Sequence, residues 1–76
     1  MHHFELDRVE AALSASGDDI MVVGIRNRES GAEVVVHLPK YGSFEDPSRV
    51  MDERDAMRLG RVLVGLLQGI TAKEDS

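Results

Sequence analysis

Between residues 20 and 38 the apolar positions run too densely to leave a wet side. Ile20, Met21, Val22, Val23 and Ile25 lead into Arg26-Asn27-Arg28, and Val34, Val35, Val36 and Leu38 follow Gly31. Two apolar, β-branched runs joined by a short polar segment with a glycine predict a β-hairpin. Arg28-Glu29-Ser30-Gly31 suits a type I turn with Gly31 in the left-handed position of a three-residue loop. With Arg28 facing Ala32, the pairs are Arg26 with Val34, Ile25 with Val35, Gly24 with Val36, Val23 with His37 and Val22 with Leu38. Side chains alternate along a strand. One face therefore carries Ile20, Val22, Val34, Val36 and Leu38, and the other Met21, Val23, Ile25, Val35 and His37. A lone ribbon needs only one apolar face, so the second requires a cover from this chain or another.

Residues 5–16 read first as a short helix. Leu6, Val9 and Leu13 stand at helical spacing among good helix formers, and Gly17 is placed as a C-terminal cap. The rival is a strand, because Val9, Ala11, Leu13 and Ala15 alternate with other residues and Ser16-Gly17-Asp18-Asp19 can turn into the hairpin. Alanine and glutamate are poor strand residues, so the helix leads. Residues 39–48, with both prolines, form a loop. Residues 49–71 form a long helix through Met57, Leu59, Gly60, Leu63, Val64, Leu66, Leu67 and Ile70. Its N-cap is Asp52, with Asp55 three residues on and a Met51–Ala56 staple, or alternatively Asp46 followed by Pro47. The apolar surface of this helix is wider than one stripe, which predicts more than one neighbour. Residues 72–76 are a polar tail expected to fray.

The fold class is therefore α+β, one small domain over residues 1–76. A β-hairpin, or a three-stranded antiparallel sheet, is packed by the long C-terminal helix, with a short N-terminal helix in the favoured version. The long helix is expected on the face of Ile20, Val22, Val34, Val36 and Leu38. The first helix is left for the face of Met21, Val23, Ile25 and Val35.

Composition narrows the chemistry. In 76 residues there is no cysteine, which excludes disulfides and thiolate metal sites and points to a reducing, cytoplasmic setting. A net charge of −5 argues against direct nucleic-acid binding, which needs a basic face. No apolar run is long enough for a bilayer and no secretory signal stands at the N-terminus, so no membrane association is expected. No nucleophile elbow, phosphate loop or calcium loop is present. Catalytic residues, metal ligands and cofactors are accordingly expected to be none, with His2, His3 and His37 too dispersed to suggest a metal site.

What remains is interaction. Lys40, Tyr41, Phe44 and His37 are the candidate partner-binding residues, since aromatics on a loop offer large contact area at low entropic cost. Phe44 has a competing role as a cap on a core short of aromatics. Val23, Ile25, Val35, Gly65 and Gly69 are candidates for dimer contact or close packing. Glu45, Asp46, Asp52, Glu53 and Asp55 form an acidic stretch. The leading expectation is a small non-enzymatic protein-binding module, a homodimer acting as an accessory or inhibitory factor of the sort encoded by phages and mobile elements. One alternative is a small-ligand or nucleotide module with Arg26, His37 and Tyr41 at a dimer seam. The other is an acidic mimic of nucleic acid.

Overall fold

The computed structural model describes the backbone of residues 3–75 and the side chains of residues 3–70. Three strands, β1 (Phe4–Leu13), β2 (Asp19–Asn27) and β3 (Glu33–Pro39), form an antiparallel sheet in the order β1-β2-β3. One helix, α1 (Glu53–Asp75), packs across β1 and β2 on one face. The architecture is the three-stranded form of the expected α+β domain.

Residues 5–16 are thus not a helix. The spacing that suggested one, Leu6 to Val9, comes from a β-bulge between Leu6 and Arg8. An extra residue in one strand lets positions three apart share a face. Leu6 lies opposite Ile25, and Val9 opposite Val23. Both pack on the same core. The turn into β2 is closed by Ser14 N–H donating to Asp18 C=O at 2.8 Å and Asp18 N–H donating to Ser14 Oγ at 3.0 Å.

The hairpin register is one residue away from the expected one. Asn27, not Arg28, faces Ala32: its N–H donates to Ala32 C=O at 2.8 Å. The Asn27 side chain explains the longer loop, since Oδ1 accepts the N–H of Glu29 at 2.9 Å and of Ser30 at 3.2 Å. An asparagine that can bond the backbone two residues on starts a turn better than an arginine. Gly31 does take the left-handed conformation, with φ of 78°. The pairs are therefore Ile25 with Val34, Gly24 with Val35, Val23 with Val36, Val22 with His37 and Met21 with Leu38.

On β2 the helix covers Met21, Val23 and Ile25 rather than the expected Ile20 and Val22. Val34, Val36 and Leu38 of β3 do lie on the helix side, because the register slip exchanges the faces of one strand relative to the other. Met21, Val23 and Ile25 form the core with Met51 and Ala56, bordered by Phe4, Leu6, Val9, Leu38 and Phe44. β1 makes this choice. It places Leu6 and Val9 beside Ile25 and Val23, and Glu5, Arg8 and Glu10 beside Arg26, Gly24 and Val22. The large apolar residues of β1 that flank Ile25 and Val23 thus lie on one face and its charged residues on the other. Burying side chains such as Met21, Val23, Ile25 and Met51 is worth roughly 1.5–3 kcal/mol each, which sets the helix there.

Helix α1 starts at the expected cap. Asp55 N–H donates to Asp52 Oδ1 at 2.9 Å and Asp52 N–H to Asp55 Oδ2 at 3.3 Å, a reciprocal box. Met51 and Ala56 on either side are fully buried. The helical backbone runs to Asp75, past residue 71, where the helix was expected to end. At Gly60 a Cβ would sit 2.7 Å from Leu6 Cδ1 and 3.0 Å from Val23 Cγ1, so this glycine sets how closely the helix meets the sheet.

Candidate functional site

The sheet face away from α1 is closed by charge. Arg8 pairs with Glu10 at 3.1 Å and with Glu33 at 3.5 Å, and Arg26 pairs with Asp7 at 3.3 Å. Both Asp7 and Arg8 reach this face because the bulge turns consecutive residues to the same side. The aliphatic stem of Arg8 lies over Gly24, where a Cβ would be 2.8 Å from Arg8 Cγ. Such stems cover apolar surface while their heads stay wet. Val22 and Ile20 are buried on this face between flanking strands. The cover required by the second hairpin face is thus largely supplied by β1 and its charged side chains.

Most of the exposed aliphatic side chains lie on the helix side, whereas Val35 is exposed on the charged face. With 3.6 residues per turn, Ala56, Gly60, Leu63 and Leu67 look down at the sheet. Met57 and Gln68 stand to one side, over β1: Met57 shares a small hollow with Leu6 and Val9, and Gln68 Nε2 donates to Phe4 C=O at 2.9 Å. Leu59, Val62, Leu66 and Ile70 occupy the opposite flank, which therefore overhangs β3. Val62, Leu66 and Ile70 are 56–58% exposed. Beneath them the helix-side residues of β3 include Val34, also exposed, and half-buried Val36. The space between this aliphatic flank and the helix-side valines of β3 is termed the trough.

The expected site residues do not form one patch. Tyr41 is exposed and its backbone bridges to Val50. It borders an open hollow of about 520 Å³ with Ile20, Pro39 and the turn of Ser14, Gly17 and Asp18. Neighbouring Lys40 is half-buried, its N–H donating to Asp19 C=O at 3.2 Å. Phe44 packs against the core and carries the Arg49 guanidinium 4.0 Å above its ring, so it has the capping role. His37 lies opposite Val22 on the charged face, four positions along β3 from Glu33, the partner of Arg26. That spacing is about 13 Å, so Arg26, His37 and Tyr41 do not converge. Val23 and Ile25 are wholly inside the core and Val35 is exposed. Gly65 and Gly69 face open space.

Three of the five acidic residues are engaged locally. Asp46 Oδ1 accepts from Ser48 Oγ–H at 2.6 Å and Ser48 N–H at 2.9 Å, which holds its carboxyl below the usual carboxylate range. Asp55 is lowered too, by the Asp52 N–H first and by Arg49, whose guanidinium lies 2.9 Å from Oδ1. Asp52 caps the helix, while Glu45 and Glu53 are exposed. Among the described residues no group of three or more potential ligands is placed to hold a metal ion. Nor is any helix among them long and apolar enough to cross a membrane.

The exposed side chains of Leu59, Val62 and Leu66 form a surface that sequence reasoning did not single out. Their spacing was visible, but it merged with Leu63 and Leu67 into one broad apolar stripe. No protein-family model, curated protein or solved structure matches the chain.

Proposed function

We propose that this chain is a non-enzymatic protein-interaction module, a small homodimer that acts as an accessory or inhibitory factor by docking an apolar segment of a partner protein. The observation that carries this reading is the trough beside β3. Four aliphatic side chains of one helix flank stay exposed, as does Val34 on the helix side of β3. An amphipathic helix from the partner suits this shape, because its apolar face can lie on β3 and against Leu59, Val62, Leu66 and Ile70 at once. Burying the exposed halves of those side chains is worth on the order of 1 kcal/mol each.

The test is site-specific photo-crosslinking in the native cell. A photoreactive residue at Leu66 should give a discrete adduct with one other protein, lost in the Val62→Glu variant, while the same residue at Arg58 on the solvent side gives none. Absence of any adduct at Leu66 beyond the chain itself would refute partner docking there. A small-ligand reading has its own observation in the hollow beside Tyr41. It requires a metabolite that raises the melting temperature of the wild type and not of Tyr41→Ala.

A further inference from the structure

β3 is the regular edge of the sheet. The other edge, β1, is guarded by its bulge and by Glu5, Asp7 and Glu10. β3 has no bulge, and its only proline, Pro39, is its last residue. Asn27 N–H donates to Ala32 C=O and Lys40 N–H to Asp19 C=O, so the even-numbered residues of β3 bond to β2. The N–H and C=O groups of Glu33, Val35 and His37 consequently point outward, along an edge that meets no other strand of the described chain.

We infer that two copies join through these edges, antiparallel, about a two-fold axis passing through Val35, to form a continuous six-stranded sheet. The inference rests on the interaction-module reading and specifies its dimer. Symmetric registers are few, and the backbone decides among them. An axis at Glu33 sets like charges face to face, and an axis at Val34 leaves His37 opposite the Gly31 turn. With the axis at Val36, Glu33 meets Pro39, which has no N–H to give; with it at His37, Val35 does. Only the axis at Val35 gives every outward N–H and C=O of Glu33, Val35 and His37 a partner in the other copy. It also sets Glu33 beside His37 of the second copy, twice, on the charged face. The imidazole can donate to the carboxylate there, and does so more strongly when protonated. On the helix side Val34 meets the second copy's Val36, extending the row of helix-side valines.

The two helices do not meet in this dimer. Each lies over β1 and β2. Across the axis they are therefore about four strand spacings, ~19 Å, apart, about twice the distance of packed helices. The troughs stay open and merge above the paired β3 strands. Dimerisation accordingly uses the backbone edge of β3, and partner docking the helix-side surface above it.

The absence of cysteine makes the register directly testable. In an antiparallel hydrogen-bonded pair the Cα atoms are ~5.5 Å apart, inside the range a disulfide spans. Val35→Cys should form a covalent dimer under mild oxidation at micromolar concentration, and Glu10→Cys on β1 should remain monomeric. In sedimentation equilibrium His37→Glu should weaken dimerisation about tenfold, by opposing Glu33 twice, and His37→Lys should not weaken it. A wild-type dimer in which Val35→Cys crosslinks no faster than Glu10→Cys would overturn the register and leave the dimeric module standing. A wild type that stays monomeric at all accessible concentrations would overturn the dimer itself, whatever the photo-crosslink at Leu66 gives. Circular dichroism of each variant confirms that the fold is retained.

Discussion

Single residues set several of the tolerances of this fold, and the glycines of α1 separate two effects. Gly60 faces Leu6 and Val23 with no room for a Cβ, whereas nothing lies within 4 Å of one at Gly65. Gly60→Ala should therefore destabilise by about 1–2 kcal/mol through overpacking. Gly65→Ala should stabilise by up to ~1 kcal/mol, because alanine costs less to fix in a helix. Urea denaturation of the two variants reads this opposition in sign. Gly31 at φ of 78° is different again: alanine there costs about 1 kcal/mol of backbone strain. Asn27 shows the limit of reading single residues from sequence. The left-handed Gly31 was legible, but the preceding turn residue was not. Both Arg28 and Asn27 fit the pattern, and only the three-dimensional loop shows Asn27 Oδ1 taking two N–H groups.

Elements were legible where a local signal was self-contained. The start of α1 is one case, since Asp52, Asp55, Met51 and Ala56 carry the cap and staple within six positions. Asp52→Ala should cost about 1 kcal/mol, measured as a lower urea midpoint with an unchanged slope. The same segment gives an acid dependence. Asp46 and Asp55 both have carboxyl groups lowered in the folded state. A lowered folded value means that the unfolded chain binds protons more readily, so these groups stabilise the fold above the ordinary carboxylate range near pH 3.9. That contribution is lost as pH falls through the lower folded values. The melting temperature should drop as pH is lowered from about 5 to about 2, and the Asp46→Asn/Asp55→Asn variant should show a shallower drop. β1 is the opposite case. Its strand character depends on a bulge, which breaks the two-residue period that marks a strand and imitates the spacing of a helix. Only pairing with β2 reveals it.

At the scale of the whole molecule, a third strand replaces the first helix and settles which surfaces remain available. The charged side chains of β1 line the face away from α1, and most of the exposed aliphatic side chains lie on the helix side, on the flank of α1 and on β3. Val62→Glu/Leu66→Glu should therefore leave thermal stability within about 0.5 kcal/mol, since both side chains are exposed. It should also reduce binding of a hydrophobic dye relative to the wild type. Sequence alone determined what local chemistry can determine: the hairpin with two apolar faces, the capped final helix, the absence of cysteine chemistry and the acidic balance. Tertiary structure decided the register, the face that α1 covers and the location of the trough. The reason is that β2 is almost uniformly apolar, so its own sequence prefers neither face. The preference comes from Leu6 and Val9 on one side and Glu5, Arg8 and Glu10 on the other, neighbours that it acquires only when the sheet forms.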